Sequence, residues 1–177
     1  MKNVGLLRLL KGGNRRSIGR SNEVVSRILS DPGLFPILLS GMLSEDPLVR
    51  MRAADATEKI TMSRPEYLYP YKHILINQVA AIRQQEVRWH LAQMFPRLRL
   101  TRPERRTVVN ILLDFLNDES KIVQTFSMQA LADIARQDVS FRHLARQAIE
   151  RHTRKGSPAV QNRGRKLLTR LRRQFVE

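Results

Sequence analysis

No cysteine occurs among the 177 residues. That excludes disulfides, thiolate metal sites and cysteine nucleophiles together, and it fits a reducing compartment. Tryptophan occurs once and aromatic residues make up 6% of the chain, too few for a platform on which successive bases of a single strand would stack. No apolar run approaches the roughly 20 residues that span a bilayer. The N-terminal stretch "MKNVGLLRLLKGG" is cut by Arg8 and Lys11 before it could form the apolar region of a signal peptide. These absences lead us to expect a cytoplasmic protein with no membrane span.

Catalytic signatures are equally scarce. The four histidines, His73, His90, His143 and His152, contain no HExxH, and no two lie three or four residues apart, so a local metal site on a helix lacks its geometry. There is no GxSxG elbow and no glycine-rich phosphate loop of the Walker or dinucleotide type, and "KGGNRRS" is too irregular to count as either. No helix-turn-helix or zinc-finger pattern for reading DNA sequence is present. The expectation is a non-enzymatic protein with no metal and no small-molecule cofactor.

What the chain has in excess is arginine. Thirty-two Lys and Arg face sixteen Asp and Glu, a net charge of +16, which bears on solubility and polyanion attraction rather than on fold. Residues 1–20 carry six cations and no acid, and residues 138–177 carry eleven cations and three acids. The 117 residues between them hold fifteen cations and thirteen acids. The chain is therefore basic at both ends and nearly balanced in the middle. A hydrophobic fraction of 42% and this length suit one folded domain with a sizeable core.

Internal periodicity organises that domain. Val49, Val87, Val123 and Val160 are spaced by 38, 36 and 37 residues, and each follows a turn-like cluster: "SEDP", "RQQE", "NDESK" and "RKGSP". Counted from each valine, the positions at +4, +7, +8 and +11 read Ala53, Ala56, Thr57, Ile60; Leu91, Met94, Phe95, Leu98; Ser127, Ala130, Leu131, Ile134; and Gly164, Leu167, Leu168, Leu171. At about 100° per residue these offsets form one stripe of an amphipathic helix. Upstream of each turn, "LFPILLSGML", "LYPYKHILINQVAAI", "RRTVVNILLDFL" and "FRHLARQAIERH" show a second helical pattern. Pro65 and Pro103 suit first-turn positions, with Ser63 and Thr101 as candidate caps, and Asp46-Pro47 and Ser157-Pro158 open second helices. No stretch alternates polar and apolar residues for long enough to predict a strand. The expected fold is all-α: helix–turn–helix pairs over about 33–62, 65–99, 102–137 and 138–175, behind a capping helix at 22–30. Stacked pairs would share one continuous core.

The turn followed by Val-Arg and a small-residue helix ("DPLVRMRAADATEKI", "QEVRWHLAQM", "SKIVQTFSMQALADIA") resembles HEAT repeats over residues 33–173. The first unit matches best; the fourth departs, with Gln161 in place of Arg and Arg165 at a usually buried site. Together with "QQEVRWHLAQM", the stretch "RSIGRSNEVV" is also similar to a group of small bacterial HEAT-repeat proteins. The resemblance implies an α-α superhelix, a right-handed solenoid of about four pairs with a concave inner face. It also implies a binding scaffold, since this architecture serves many partners.

Residues 1–21 fall outside the repeats. "KGGNRRSIGRS" holds three glycines and four basic residues in eleven positions and reads as a basic arm, either a frayed terminus or a segment ordered by a partner. Arg15, Arg16 and Arg20 are its candidate phosphate contacts. On the last helix Arg163, Lys166, Arg170 and Arg173 recur at three- and four-residue spacing, opposite an apolar side that runs from Val160 to Phe175. The helix before it adds Arg142, Arg146, Arg151, Arg154 and Lys155. Such a single-sign cap suits phosphates, which arginine pairs bidentately. The alternative is a solubilising polar cap on the terminal repeat.

Trp89 lies two residues after Val87, at 200° and so opposite the core stripe, with Gln93 one turn on. It is either an exposed aromatic anchor on the inner face, with Met51 at the equivalent position and Phe126 nearby in the pattern, or packed against a neighbouring repeat. HEAT-like DNA glycosylases that remove alkylated bases pair a Trp with an Asp one turn later; Gln93 stands at that spacing here. The expected function is a scaffold for an acidic partner, either nucleic acid held by its backbone or an acidic protein. A protein–protein adaptor using the concave face is the alternative, and a glycosylase the remote one.

Overall fold

The computed structural model describes residues 4–173; Phe175 and Glu177, included in the readings above, lie outside them. The chain divides into two compact units, Met1–Arg99 and Leu100–Glu177. Among the described residues there are ten α-helices and no strand. The first unit holds α1 (Val4–Arg8), α2 (Ser21–Ser30), α3 (Phe35–Gly41), α4 (Pro47–Ser63), α5 (Lys72–Asn77) and α6 (Gln85–Met94), and α2, α3 and α6 all pack on α4. In the second, α7 (Arg102–Phe115) packs on α8 (Lys121–Gln137), and α8, α9 (Arg142–Lys155) and α10 (Pro158–Arg173) pack on one another. None of these helices is long and apolar enough to cross a membrane.

The apolar stripe forms the core of each unit. Every position at the four offsets is buried except Leu168, which is half-buried. At about 25 cal/mol per Å² this burial is the main favourable contribution to each unit. Gly164 is a close-packing position: a Cβ there would lie 1.8 Å from Thr153 Oγ1 and 2.8 Å from Met128 Cε.

The residue after each valine closes the turn before its helix. Arg50 Nη1 donates to Ser44 O at 2.7 Å, Arg88 Nε to Ile82 O at 3.1 Å, Gln124 Nε2 to Asp118 O at 2.6 Å, and Gln161 Nε2 to Gly156 O at 3.0 Å. A turn carbonyl just ahead of a helix has no partner in the helical ladder, so a donor reaching back from the first turn satisfies it. Glutamine does this as well as arginine, so Gln124 and Gln161 fill the same role as Arg50 and Arg88. Arg50 Nε also donates to Gln84 Oε1 at 2.9 Å, and Gln84 Nε2 donates to Pro47 O at 2.8 Å, tying two turns of the first unit together.

Caps and prolines set the helix ends. Asp46 Oδ1 accepts from Leu48 N–H at 2.9 Å, and Thr101 and Glu104 form a reciprocal capping box. Ser63 does not cap: it ends α4, and its hydroxyl donates to Ile60 O. Ser157 likewise makes no side-chain cap, since its buried Oγ has no hydrogen-bond partner among the described residues. The helical pattern at 68–82 is broken where one helix was expected. A 3-10 turn spans Pro65–Tyr71, α5 follows with 6 residues, and a second 3-10 turn spans Val79–Ala81. Pro70 lacks an N–H and clashes with the carbonyl four residues back, which prevents an α-helix from running through. In the second unit Arg105 binds Asp138 at 2.9 Å, and the Ser140 hydroxyl, then Arg105, hold that carboxyl below the ordinary range.

Candidate functional site

The basic arm is built around a buried arginine. Arg52, on α4, is 1% exposed and has no carboxylate partner among the described residues. Its guanidinium donates instead to four carbonyls of the arm. Nη1 reaches Leu10 O at 2.7 Å and Gly12 O at 2.6 Å, Nη2 reaches Asn14 O at 3.2 Å, and Nε reaches Ser17 O at 3.1 Å. The planar fork of donors suits carbonyls splayed along a loop. The loop can wrap it because Gly12, Gly13 and Gly19 adopt φ of 75°, 76° and 55°. A Cβ on Gly19 would also sit 2.9 Å from Arg52 Cζ. Residues 10–20 therefore do not form the frayed terminus that is one of the two readings of this arm. They close on α4 through Arg52, and Leu6 and Leu10 are buried.

Held in this way, Arg15 and Arg16 project from an ordered turn. Both are exposed, as is Arg20, which pairs with Glu23 at 2.7 Å. Together with α4 and α6, the turn borders an open cavity of about 260 Å³, lined by Arg15, Arg16, Met51, Glu86, Trp89 and His90 among others. Asp55 stands at its edge, accepting from the Ser21 hydroxyl at 2.5 Å and from Lys59 at 2.8 Å. Glu86 is only 8% exposed and bonds to no described residue, but its carboxylate oxygens stay open to solvent. Beside it, His90 Nδ1 is buried without a partner. Burial pushes the His90 pKa below its ordinary 6.5, against the opposing pull of Asp55 and Glu58, so the ring is held neutral. The Trp89 and His90 ring centroids lie 5.4 Å apart.

The four residues read as inner-face contacts separate. Met51 is 8% exposed, so it is a cavity wall rather than a protruding anchor. Trp89 is half-buried and lines the same cavity. Gln93 is half-buried, and its amide donates to Trp89 O at 3.4 Å. Phe126, also half-buried, belongs to α8 in the second unit. Sequence reading missed Glu86 and His90. Both sit in the first turns of α6, where an acid reads as an ordinary partner of the helix dipole.

The basic surface of the second unit lies on α9 and α10. Arg151, Arg154, Lys155, Lys166, Arg170 and Arg173 are exposed and make no ion pair among the described residues. Arg146 is exposed and faces Glu150 at 3.6 Å, and Arg142 is half-buried. Arg163, expected in the solvent-facing stripe, is half-buried and donates to Gln129 Oε1 of α8 at 3.2 Å. Its place at the edge of the apolar face brings it against the neighbouring helix. Arg165 and Arg172 are exposed and widen the surface. A second cavity, of about 520 Å³, lies where α7 ends and α8 begins, and Lys121, Arg151 and Lys155 line it together with Asp114, Asn117 and Ser157.

A scan against models of known protein families gives no match, and a search of curated proteins gives none. Among solved structures, the crystal structure of an engineered protein from the Northeast Structural Genomics Consortium is similar, with a TM-score of 0.63 at 18% identity. The likeness covers 94% of this chain and 78% of that one, and at such identity it speaks for the helical fold alone.

Proposed function

We propose that the chain is a non-enzymatic HEAT-like solenoid scaffold that holds nucleic acid through backbone phosphates. The HEAT reading is supported by the recurring buried valine and the turn-closing side chain that follows it. The functional reading rests on one observation: the exposed cations of α9 and α10 stand on two packed helices whose described residues include one carboxylate, Glu150. A cap that served solubility alone would mix both signs. Exposed arginines without partners are poised instead to pair with phosphate oxygens.

Binding of this kind releases counterions. The logarithm of affinity for duplex DNA should fall against the logarithm of salt with a slope of about −0.9 per phosphate neutralised. The test is fluorescence anisotropy of labelled duplex at several salt concentrations, comparing the wild-type chain with one carrying Arg154→Gln, Lys166→Gln, Arg170→Gln and Arg173→Gln. The expected result is weaker binding with a slope shallower by about 3 to 4 units. An unchanged slope would remove this surface from the reading. Salt-independent capture of a peptide would favour the adaptor instead.

A further inference from the structure

We propose that the cavity under the arm receives a single unstacked guanine, with the 5′-phosphate of its sugar held by Arg15 and Arg16. This rests on the nucleic-acid reading for the polymer that carries the base, but the pocket itself lies wholly in the first unit.

The argument starts from Glu86. The residue is 8% exposed and bonds to no described donor, yet its oxygens stay open to solvent. A ligand entering from the cavity side can therefore supply the donors that the protein does not. Glu86 faces a cavity of about 260 Å³, just below the roughly 300 Å³ where small-molecule sites begin. That space suits a base, with sugar and phosphate left at the mouth. Guanine presents two adjacent N–H donors on its pairing edge, which match the two oxygens of one carboxylate. Adenine, cytosine and uracil each set an acceptor beside a donor there, and the acceptor would face negative charge. Trp89 supplies aromatic surface, the usual way an unstacked base is held. His90, kept neutral, adds no positive charge beside the carboxylate that would compete with the base.

The mouth decides between ligands. A buried carboxylate beside a tryptophan would also suit the cationic side chain of a peptide. Arg15 and Arg16 on the rim repel such a group and attract a phosphate. Arg52 fixes the loop that carries them, so little ordering entropy is lost on binding.

Trp89 is the sole tryptophan, so its emission reports on this cavity directly. The experiment titrates the full chain with GMP, IMP, AMP, guanosine and an arginine amide. GMP should quench saturably and bind roughly tenfold or more tighter than AMP. IMP, which lacks the 2-amino donor, should fall between them. Glu86→Gln should erase the preference for GMP over AMP, and Arg16→Gln should weaken GMP while leaving guanosine unchanged. Equal responses to GMP and AMP, no saturable response, or saturation by the arginine amide would each overturn the proposal. Should Glu86→Gln fail to fold by circular dichroism, the order of GMP, IMP and AMP on the wild-type chain decides. The chain with neutralised α9 and α10 cations should bind GMP as before, so failure of the backbone reading and failure of this one are distinguishable.

Discussion

Replacing Arg52 with methionine isolates what holds the arm. Methionine is a good helix former with an unbranched side chain, so α4 itself should be undisturbed. The change deletes four charge-assisted hydrogen bonds to Leu10, Gly12, Asn14 and Ser17 carbonyls. Each bond to a charged donor contributes about 2 kcal/mol, while burying the guanidinium costs several kcal/mol in lost hydration. The difference is a net stabilisation of the closed arm of about 3 kcal/mol. When the arm opens, the carbonyls return to water, so the loss falls on arm closure rather than on the whole fold. The assay is limited trypsin digestion, since Arg15, Arg16 and Arg20 all lie in the loop. Cleavage of a transiently open segment follows its population, so the Arg52→Met chain should be cut in the arm about a hundredfold faster. Its helical circular dichroism should barely change. Equal cleavage rates in the two chains would refute the reasoning, because the carbonyl cage would then contribute nothing to closure.

Other consequences are simpler. Gly164→Ala would gain about 1 kcal/mol from helix propensity at a neutral site, but the added Cβ meets Thr153 Oγ1 and Met128 Cε. A net loss of about 1 kcal/mol or more is expected from overpacking, read as a lower urea midpoint; a higher midpoint would contradict the packing. The triple change Lys166→Gln, Arg170→Gln and Arg173→Gln should leave the midpoint within about 0.5 kcal/mol. Adding Arg163→Gln should lower it by about 1 kcal/mol, because the bond to Gln129 is lost. His90 titrates below its ordinary 6.5 when folded, so between that value and the depressed one the unfolded chain binds the extra proton. Stability should be level above about pH 6.5 and fall as pH drops below it, down to the folded-state value. Thermal melts of wild type and His90→Gln should differ in that window and converge in slope above it.

The sequence made the helix pairs legible because their signal is periodic. Four offsets from four valines fall on one stripe, and the core then forms from those side chains with Leu168 alone left half-buried. Thr101 was legible as a cap because Glu104 completes its box, whereas Ser63 satisfied the composition of a cap without the backbone position for it. The broken region at 65–81 carried its warning in Pro70, which apolar spacing alone does not register. The arm was illegible for a different reason. Its order depends on the donors of one arginine meeting carbonyls that lie 35 to 42 residues away along the chain. Backbone carbonyls leave no trace in composition; Gly12, Gly13 and Gly19 were the trace, and they also suit a flexible tail. Arg163 shows the limit of a charge stripe, since three- and four-residue spacing does not separate a solvent-facing position from one at the rim of the packed face.

The two basic regions differ in physics more than in charge. On α9 and α10 the cations are long exposed side chains without fixed partners, so they can follow a phosphate backbone but not distinguish one sequence from another. In the arm, Arg15 and Arg16 sit on a turn whose backbone is held by Arg52, beside a cavity that the Glu86 carboxylate and Trp89 line. Salt acts strongly on the first kind of contact, through released counterions, and would act more weakly on a base edge bonded to Glu86 inside the cavity. Affinity would then come chiefly from the exposed cations and selectivity from the cavity. The glycines of the arm let its backbone close around a buried guanidinium, and the same closure fixes where Arg15 and Arg16 stand.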